Sequence, residues 1–273
     1  SKNTIDCEES EMNILVSIKQ VPGTNKVEVD EETGVLKRAG IESKMNPYDL
    51  YALEAGVQLK EQLGATVTVI TMGPPQAAAV VKEAYMMGAD EGILISDRKF
   101  AGADTLATAF TLAQGIRQTG PYDLILCGKQ TTDGDTAQVG PGIAEFLGLP
   151  HVAYVSAILE STLEHITVEM DLADSVQICQ VAYPCLLTVT EATNQPRLPS
   201  YRLKLATADR PIRTISHGDL PPLEEVYYGL DGSPTQVERI FPPESRTTRN
   251  VYRGDAEELA EQVYRQLKEQ RFI

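Results

Sequence analysis

The loop at residues 128–142, GKQTTDGDTAQVGPG, concentrates the residue types that hold a phosphate group. Backbone N–H groups at a helix start, joined by side-chain hydroxyls, bind an anion without a cluster of basic side chains. Thr131, Thr132 and Thr136 offer hydroxyls here, and Gly134 lets the backbone come close to a bound group. Gly128, Gln130, Asp133, Asp135, Ala137, Gln138 and Val139 are further candidates in the stretch. The same residue types also build ordinary turns and helix caps, so the loop alone leaves both readings open. Neither the dinucleotide pattern GxGxxG nor the phosphate loop GxxxxGK[ST] occurs in the chain. Asp133 and Asp135, without a histidine cluster or further acidic ligands, are too few for a metal site. The histidines, His151, His165 and His217, are scattered, and no GxSxG elbow or Cys–His pairing is visible. Any chemistry is therefore expected to reside in a bound cofactor.

The flanking segments say how such a loop would be positioned. The apolar run at 123–127 (DLILC) reads as a buried parallel strand, and 143–149 (IAEFLGL) has helical spacing. Upstream, strands are expected at 14–18, 67–70 and 93–95, with helices at 47–63, 74–87 and 104–118 between them. Pro47 opens the first helix and Gly64 ends it; Gly88 ends the second. A small hairpin is expected around residues 31–34. Strands alternating with helices predict right-handed crossovers and a doubly wound α/β fold with a parallel sheet. The loops after the strands then share one edge, bringing together Ser17, Asn46, Pro47, Tyr48, Asp49, Met72, Gly73, Thr105 and Thr108 with the 128–142 loop. Thr105 and Thr108 lie three apart, so both hydroxyls can face one anion.

After Pro150 the pattern changes. Runs at 152–159, 166–170, 176–181 and 186–190 read as strands with few helices between them, the expected pattern of antiparallel additions. A proline-rich tail follows, expected to run as an extended arm over another surface, and residues 255–268 form an amphipathic helix with Leu259, Val263 and Leu267 on one face. The chain is thus expected to divide into residues 12–235, a nucleotide-binding domain, and residues 236–273, an arm. Residues 1–11 are expected to be an extension or a cloning remnant.

Composition limits the partners. The chain has 273 residues and a formal net charge of −15, which argues against nucleic acid and against anionic membrane surfaces. No apolar run approaches the roughly 20 residues needed to span a bilayer. Cys7, Cys127, Cys179 and Cys185 form no CxxC pair, and two of them lie in strand-like runs, so buried thiols and a reducing, cytoplasmic setting are expected.

Taken together, VSIKQVPGT, MNPYDLYALE, TMGPPQA, MGADEGILISD, GADTLAT and GKQTTDGDTAQVGP resemble the electron-transfer flavoprotein beta subunits, in order and spacing, from Met12 onward. Gly23 departs from that pattern, where Asp is usual. The resemblance implies an adenine-nucleotide-binding α/β fold, a heterodimer with an FAD-containing alpha subunit, and an arm that packs on that subunit. In simple members the crevice holds AMP. In members similar to the electron-bifurcating group it holds FAD, which takes hydride from NADH and splits the electrons between ferredoxin and a partner flavoprotein dehydrogenase, or runs in reverse. DGDTAQVGP is similar to the bifurcating pattern, so FAD is expected and AMP is the alternative. By this resemblance Thr105 and Thr108 touch the diphosphate beside Asp135, Thr136, Gln138 and Val139, while Ser17, Asn46–Asp49 and Met72 surround the adenosine. Residues 191–205 (EATNQPRLPSYRLKL) match the family's recognition loop, with Arg197, Leu198 and Pro199 expected to bind the dehydrogenase and Leu198 as its exposed apolar anchor. RLPSY, with the segment at 233–245, is most similar to members serving a flavin-dependent lactate dehydrogenase in anaerobes; an acyl-CoA dehydrogenase is the rival.

Overall fold

Short, largely apolar strands alternating with helices leave one economical arrangement, a sheet covered on both faces. The computed structural model, which describes residues 12–23, 43–221, 225–238 and 251–273, has that arrangement. In chain order the elements are β1 (Asn13–Ser17), β2 (Gln20–Pro22), β3 (Ser43–Met45), α1 (Pro47–Leu63), β4 (Thr66–Met72), α2 (Ala78–Met87), β5 (Glu91–Ile95), α3 (Thr105–Thr119), β6 (Leu124–Gly128) and α4 (Val139–Leu147). They continue as β7 (His151–Ser161), β8 (His165–Asp171), β9 (Val176–Ala182), β10 (Cys185–Val189), α5 (Tyr201–Ala206), β11 (Arg213–Ile215) and α6 (Ala256–Glu269). The hairpin expected around 31–34 and the segment 1–11 lie outside the described residues.

Nine strands form one sheet in the order β11-β5-β4-β1-β6-β10-β7-β8-β9, while β2 and β3 pair separately. Ile14, Leu15 and Val16 at its centre are fully buried, because Ile14 and Val16 face α1 and α2 while Leu15 faces α3 and α4. Two apolar layers result, one on each face, and each buried aliphatic side chain contributes about 1.5–3 kcal/mol. The first crossover runs from β1 through α1 to β4, on one side of β1. The crossover from β5 through α3 places β6 on the other side. The strand order therefore reverses between β1 and β6, where an open α/β sheet forms its ligand crevice.

Local signals set the helix ends. Proline opens α1, and Gly64 closes it in the left-handed region at φ 73°. Gly88 and Gly148 end α2 and α4 in the same way.

The strands after Pro150 correct one expectation. β8 and β9 are antiparallel additions, but β10 inserts between β6 and β7, parallel to both. All five residues of β10 are buried; covered on both faces, such a strand belongs inside the sheet rather than at its edge. The proline-rich tail is also less arm-like than expected: β11 extends the sheet beside β5, and α5 forms within the segment expected as a loop, its Ser200 side chain accepting from Leu203 N–H.

Cys127 and Cys185 are buried free thiols, and Cys179 is half-buried. Burial pushes the Cys185 thiol up to about 12. No helix among the described residues is long and apolar enough to cross a membrane. The chain divides into two compact units, Ser1–Glu28 with Leu36–Glu238, and Val29–Val35 with Arg239–Ile273. In the second unit Asp255 caps α6, while Val263 and Leu267 on its apolar face are exposed.

Candidate functional site

The crevice is built where β1 and β6 end. Ser17 closes β1, pairing with Ile70 of β4 on one side and Cys127 of β6 on the other. Two residues later the Lys19 ammonium donates to both carboxylate oxygens of Asp133, each at 2.8 Å. This pair joins the loop after β1 to the loop after β6. It is partly exposed, so its worth is about 1 kcal/mol or less.

Asn46, at the N-terminus of α1, does more to order the 128–138 loop. It is fully buried; its Nδ2 donates to the Gln130 carbonyl at 2.9 Å, and its Oδ1 accepts from Thr132 N–H at 3.2 Å. The amide thus pairs with two loop backbone groups that no regular element satisfies. The Asn46 side chain holds the loop rather than facing outward, whereas Pro47 and Tyr48 beside it are half-buried. Gln130 and Asp135 are joined within the loop by a side-chain hydrogen bond, and Asp135 N–H donates to the Thr131 carbonyl at 2.9 Å.

Asp49 sits beneath, buried in the first turn of α1, with Lys19 N–H donating to its Oδ2 at 2.8 Å. Burial pushes its carboxyl up to about 7, although the Asn46 amide, the N–H groups of Lys19 and Gly128 and the Lys19 charge all pull the other way. Because the folded value is raised, the carboxyl's contribution to stability is complete below about pH 4. It is lost as pH rises toward 7, where only the unfolded chain has already released its proton. We therefore expect stability to fall across this window, by up to roughly 1.4 kcal/mol per pH unit, with Asp49→Asn largely removing that slope. Urea unfolding of both proteins at the two ends of the window measures it; parallel slopes would refute the assignment.

The two helix N-termini facing the crevice differ. At α3, the Asp104 side chain already accepts from the N–H groups of Leu106 and Ala107. Burial opposes its charge, but hydrogen bonds from Thr235, Ala107 and Leu106 outweigh that and hold the carboxyl below the usual range. This end carries its own anion. At α4, Gln138 provides no side-chain cap. Asp135 and Ala137 just before it have φ of 54° and 55°, in the left-handed region, and Gln138 is right-handed. A left-handed residue followed by a right-handed one turns successive N–H groups into a common concavity for an anion. Each such non-glycine residue costs about 1–3 kcal/mol, a strain that persists where the surrounding structure enforces it. Of the two helix starts, α4 is therefore the one whose N–H groups are not already capped by a side chain.

Thr105 links the two helix starts, its hydroxyl donating to Gln138 Oε1 at 2.9 Å; Thr108, one turn along, is half-buried. Thr136 is exposed, and Gly134 has open space around it: a Cβ added there would meet only Thr131 Oγ1, at 3.4 Å. Met72 ends β4, and Gly73 N–H donates to the Ile95 carbonyl. The neighbouring Thr71 hydroxyl is buried with no hydrogen-bond partner among the described residues. Val139 begins α4. The expected residues from β1, α1, β4, α3 and β6 thus meet at one sheet edge.

Arg197, Leu198 and Pro199 lie apart from that cluster, in the loop after β10 that runs back along α1. Lys19 and Thr71 beside the crevice, and Glu54 beneath the loop after β10, are polar positions in the structure that the candidate residues read from sequence do not include. Only Lys19 carries a signal in the sequence, as a lysine in the loop after the first strand of an acidic chain. Among the described residues no group of three His, Cys, Asp or Glu side chains is placed to hold a metal ion. A shallow cleft between α1 and β7, lined by Ala55, Leu59, Ile158 and Glu160 among others, contains none of the crevice residues.

Comparison with known proteins gives a consistent picture. Residues 33–220 match the family described as "Electron transfer flavoprotein domain". The chain is 42% identical over 263 residues to an electron transfer flavoprotein subunit beta of Thermoanaerobacterium thermosaccharolyticum, covering 96% of this chain and all of the relative. It is 43% identical over 264 residues to the caffeyl-CoA reductase-Etf complex subunit CarD of Acetobacterium woodii, with the same coverage. It is 42% identical over 256 residues to protein FixA of Bradyrhizobium diazoefficiens, covering 92% of this chain and 89% of the relative.

Proposed function

Because this chain belongs to the electron transfer flavoprotein beta subunit family, we propose that it pairs with an FAD-containing alpha subunit and holds a second FAD in its own switch-point crevice. Bound there, FAD would supply hydride acceptance from NADH and one-electron transfer, one electron toward a partner flavoprotein dehydrogenase and one toward ferredoxin, or the reverse. The observation that carries this reading is the uncapped α4 N-terminus behind left-handed Ala137, with open space at Gly134. That concavity suits a diphosphate, and the small side chain of Ala137 leaves room for a chain leading away from it.

The chain's own residues bind, orient and neutralise. Backbone N–H groups at Ala137, Gln138 and Val139 would hold the diphosphate, with the Thr105 and Thr136 hydroxyls beside them. Ser17, Pro47, Tyr48, Met72 and Gly73 would line the adenosine end, with buried Asp49 beneath them and Asn46 and the Lys19–Asp133 pair keeping the loop in place. Thr108, Gly128, Gln130 and Thr131 would complete the wall behind the ligand. Leu198, 88% exposed between Arg197 and Pro199, would dock on the dehydrogenase. The name of the Acetobacterium woodii relative, a caffeyl-CoA reductase-Etf complex subunit, supports a partner acting on a CoA thioester over one acting on lactate.

AMP in the same crevice is the second reading, favoured by the fact that a nucleoside monophosphate needs only the adenosine end and the α4 N-terminus. Nucleotide release from the purified heterodimer decides between them. Two FAD and no AMP per complex are expected; one FAD and one AMP would overturn the flavin reading. Thr136→Tyr, at an exposed position, is expected to leave the melting temperature within about 2 °C, a surface-scale change of about 0.5 kcal/mol, while reducing the content to one FAD. Retention of two FAD by this variant would move the site elsewhere.

A further inference from the structure

The loop after β10 is held more tightly than a surface loop requires. Thr193 Oγ1 donates to the Val155 carbonyl at 2.7 Å, and Asn194 Nδ2 donates to the Tyr51 carbonyl at 2.9 Å. Beyond them, every guanidinium nitrogen of Arg197 is used. Nε donates to Glu54 Oε2 at 2.8 Å and Nη1 to Glu61 Oε1 at 2.7 Å, while Nη2 donates to Glu54 Oε1 and Glu61 Oε2, both at 3.1 Å. Arg197 N–H donates to Glu54 Oε2 as well, at 3.0 Å. Glu54 is 4% exposed and also accepts from Gln58 Nε2 at 2.8 Å. On the far side, Ser200 N–H donates to the Met86 carbonyl at 2.8 Å. Between these two anchors only Leu198 and Pro199 project, and Leu198 is almost wholly exposed.

A planar fork held at all three nitrogens by two carboxylates on one helix face is a rigid joint. It commits four of the five guanidinium N–H groups to α1 and leaves a single Nη1 N–H, so Arg197 is spent chiefly on the loop itself rather than on the dehydrogenase contact expected for it. We infer that Arg197 is the positioning residue of this loop: clamped by Glu54 and Glu61, it fixes the turn from which Leu198 projects. The inference rests on the docking role proposed for Leu198. Its physical logic is preorganisation. An apolar anchor already held in its bound geometry loses less conformational freedom on association than one on a loose loop. The joint also ties that anchor to α1, whose first turn forms a wall of the crevice.

The test uses the intact heterodimer and two probes, a purified acyl-CoA dehydrogenase and a flavin-dependent lactate dehydrogenase. Leu198→Ala, Glu54→Gln with Glu61→Gln, the combined triple variant, and Arg197→Lys are compared for KM and kcat toward each dehydrogenase. The double Glu variant is expected to raise KM about tenfold with kcat and nucleotide content unchanged, a loss of the size of a truncated interface anchor. Arg197→Lys keeps the charge but loses the fork, and is expected to match it. In the triple variant the Glu substitutions should add nothing to the rise caused by Leu198→Ala. Under native conditions trypsin should cut after Arg197 about tenfold faster in the double variant. Should Glu54→Gln prevent folding, Glu61→Gln alone, at an exposed carboxylate, carries the same comparison with a smaller rise.

Additive effects in the triple variant would mean that the clamp acts independently of Leu198 and would overturn the inference. So would an unchanged KM in the double variant beside a raised KM in Leu198→Ala, or an unchanged trypsin rate. An unchanged KM for Leu198→Ala with both probes overturns the docking reading itself, a result separable from failure of the clamp.

Discussion

Replacing Asn46 by alanine should destabilise the protein and empty its crevice together. The substitution removes a fully buried amide that donates to the Gln130 carbonyl and accepts from Thr132 N–H. Both loop groups then lose their partners, at about 1–3 kcal/mol for each that stays buried. The combined loss of about 2–6 kcal/mol corresponds to a fall in melting temperature on the order of 5–20 °C for a domain of this size. The loop that carries left-handed Asp135 and Ala137 would relax, and with it the concavity before α4. Asn46→Asp offers no escape, because it keeps one acceptor, loses the donor, and sets a second carboxyl beside buried Asp49. Calorimetry of the heterodimer together with nucleotide release measures both effects. A normal melting temperature with full nucleotide content would show that the loop is held by other contacts.

Gly128→Ala should have an effect of similar size, by overpacking rather than by lost hydrogen bonds. A Cβ built at Gly128 lies 2.5 Å from Asp49 Oδ1, 2.6 Å from the Tyr48 carbonyl carbon and 2.8 Å from Tyr48 Cβ. The second of these is backbone and cannot swing away, so α1 and the end of β6 must separate. Overpacking of this kind costs about 1–3 kcal/mol, and more where the neighbour is fixed. Gly134→Ala, further along the same loop, is the control. Its Cβ would meet only Thr131 Oγ1 at 3.4 Å, so the fold should tolerate it, with a change within about 0.5 kcal/mol. Equal stabilities for the two variants in urea unfolding would refute this account of Gly128.

The local grammar of the chain is legible in sequence because its causes are local. Pro47 and Gly64 bound α1 as expected, and Gly88 ends α2, since proline at a helix start and left-handed glycine at its end act within a turn. The runs of β1, β4 and β6, aliphatic with only small polar residues between, announce a sheet covered on both faces, because a strand buried on two sides has no charged side to show. The loop chemistry at 128–142 is equally readable as a set of residue types.

Tertiary structure alone decides the neighbours. The run CLLTV of β10 would be equally apolar in a parallel or an antiparallel setting; its place between β6 and β7 follows from how the whole sheet closes. Three-residue β11 is too short to carry a periodic signal, and it forms because the edge of β5 is open to it. Asn46 reads in sequence as a ligand contact, yet folding turns its amide onto the loop backbone 84 residues away. Arg197 reads as a partner contact, yet its guanidinium meets two carboxylates of α1. Which helix start is left uncapped is likewise undetermined until Asp104 is seen to cap α3 while α4 has no side-chain cap. Periodicity and capping are properties of a few consecutive residues, so one sequence carries them; pairing between distant polar groups is settled only when the chain closes on itself and each buried donor must find an acceptor.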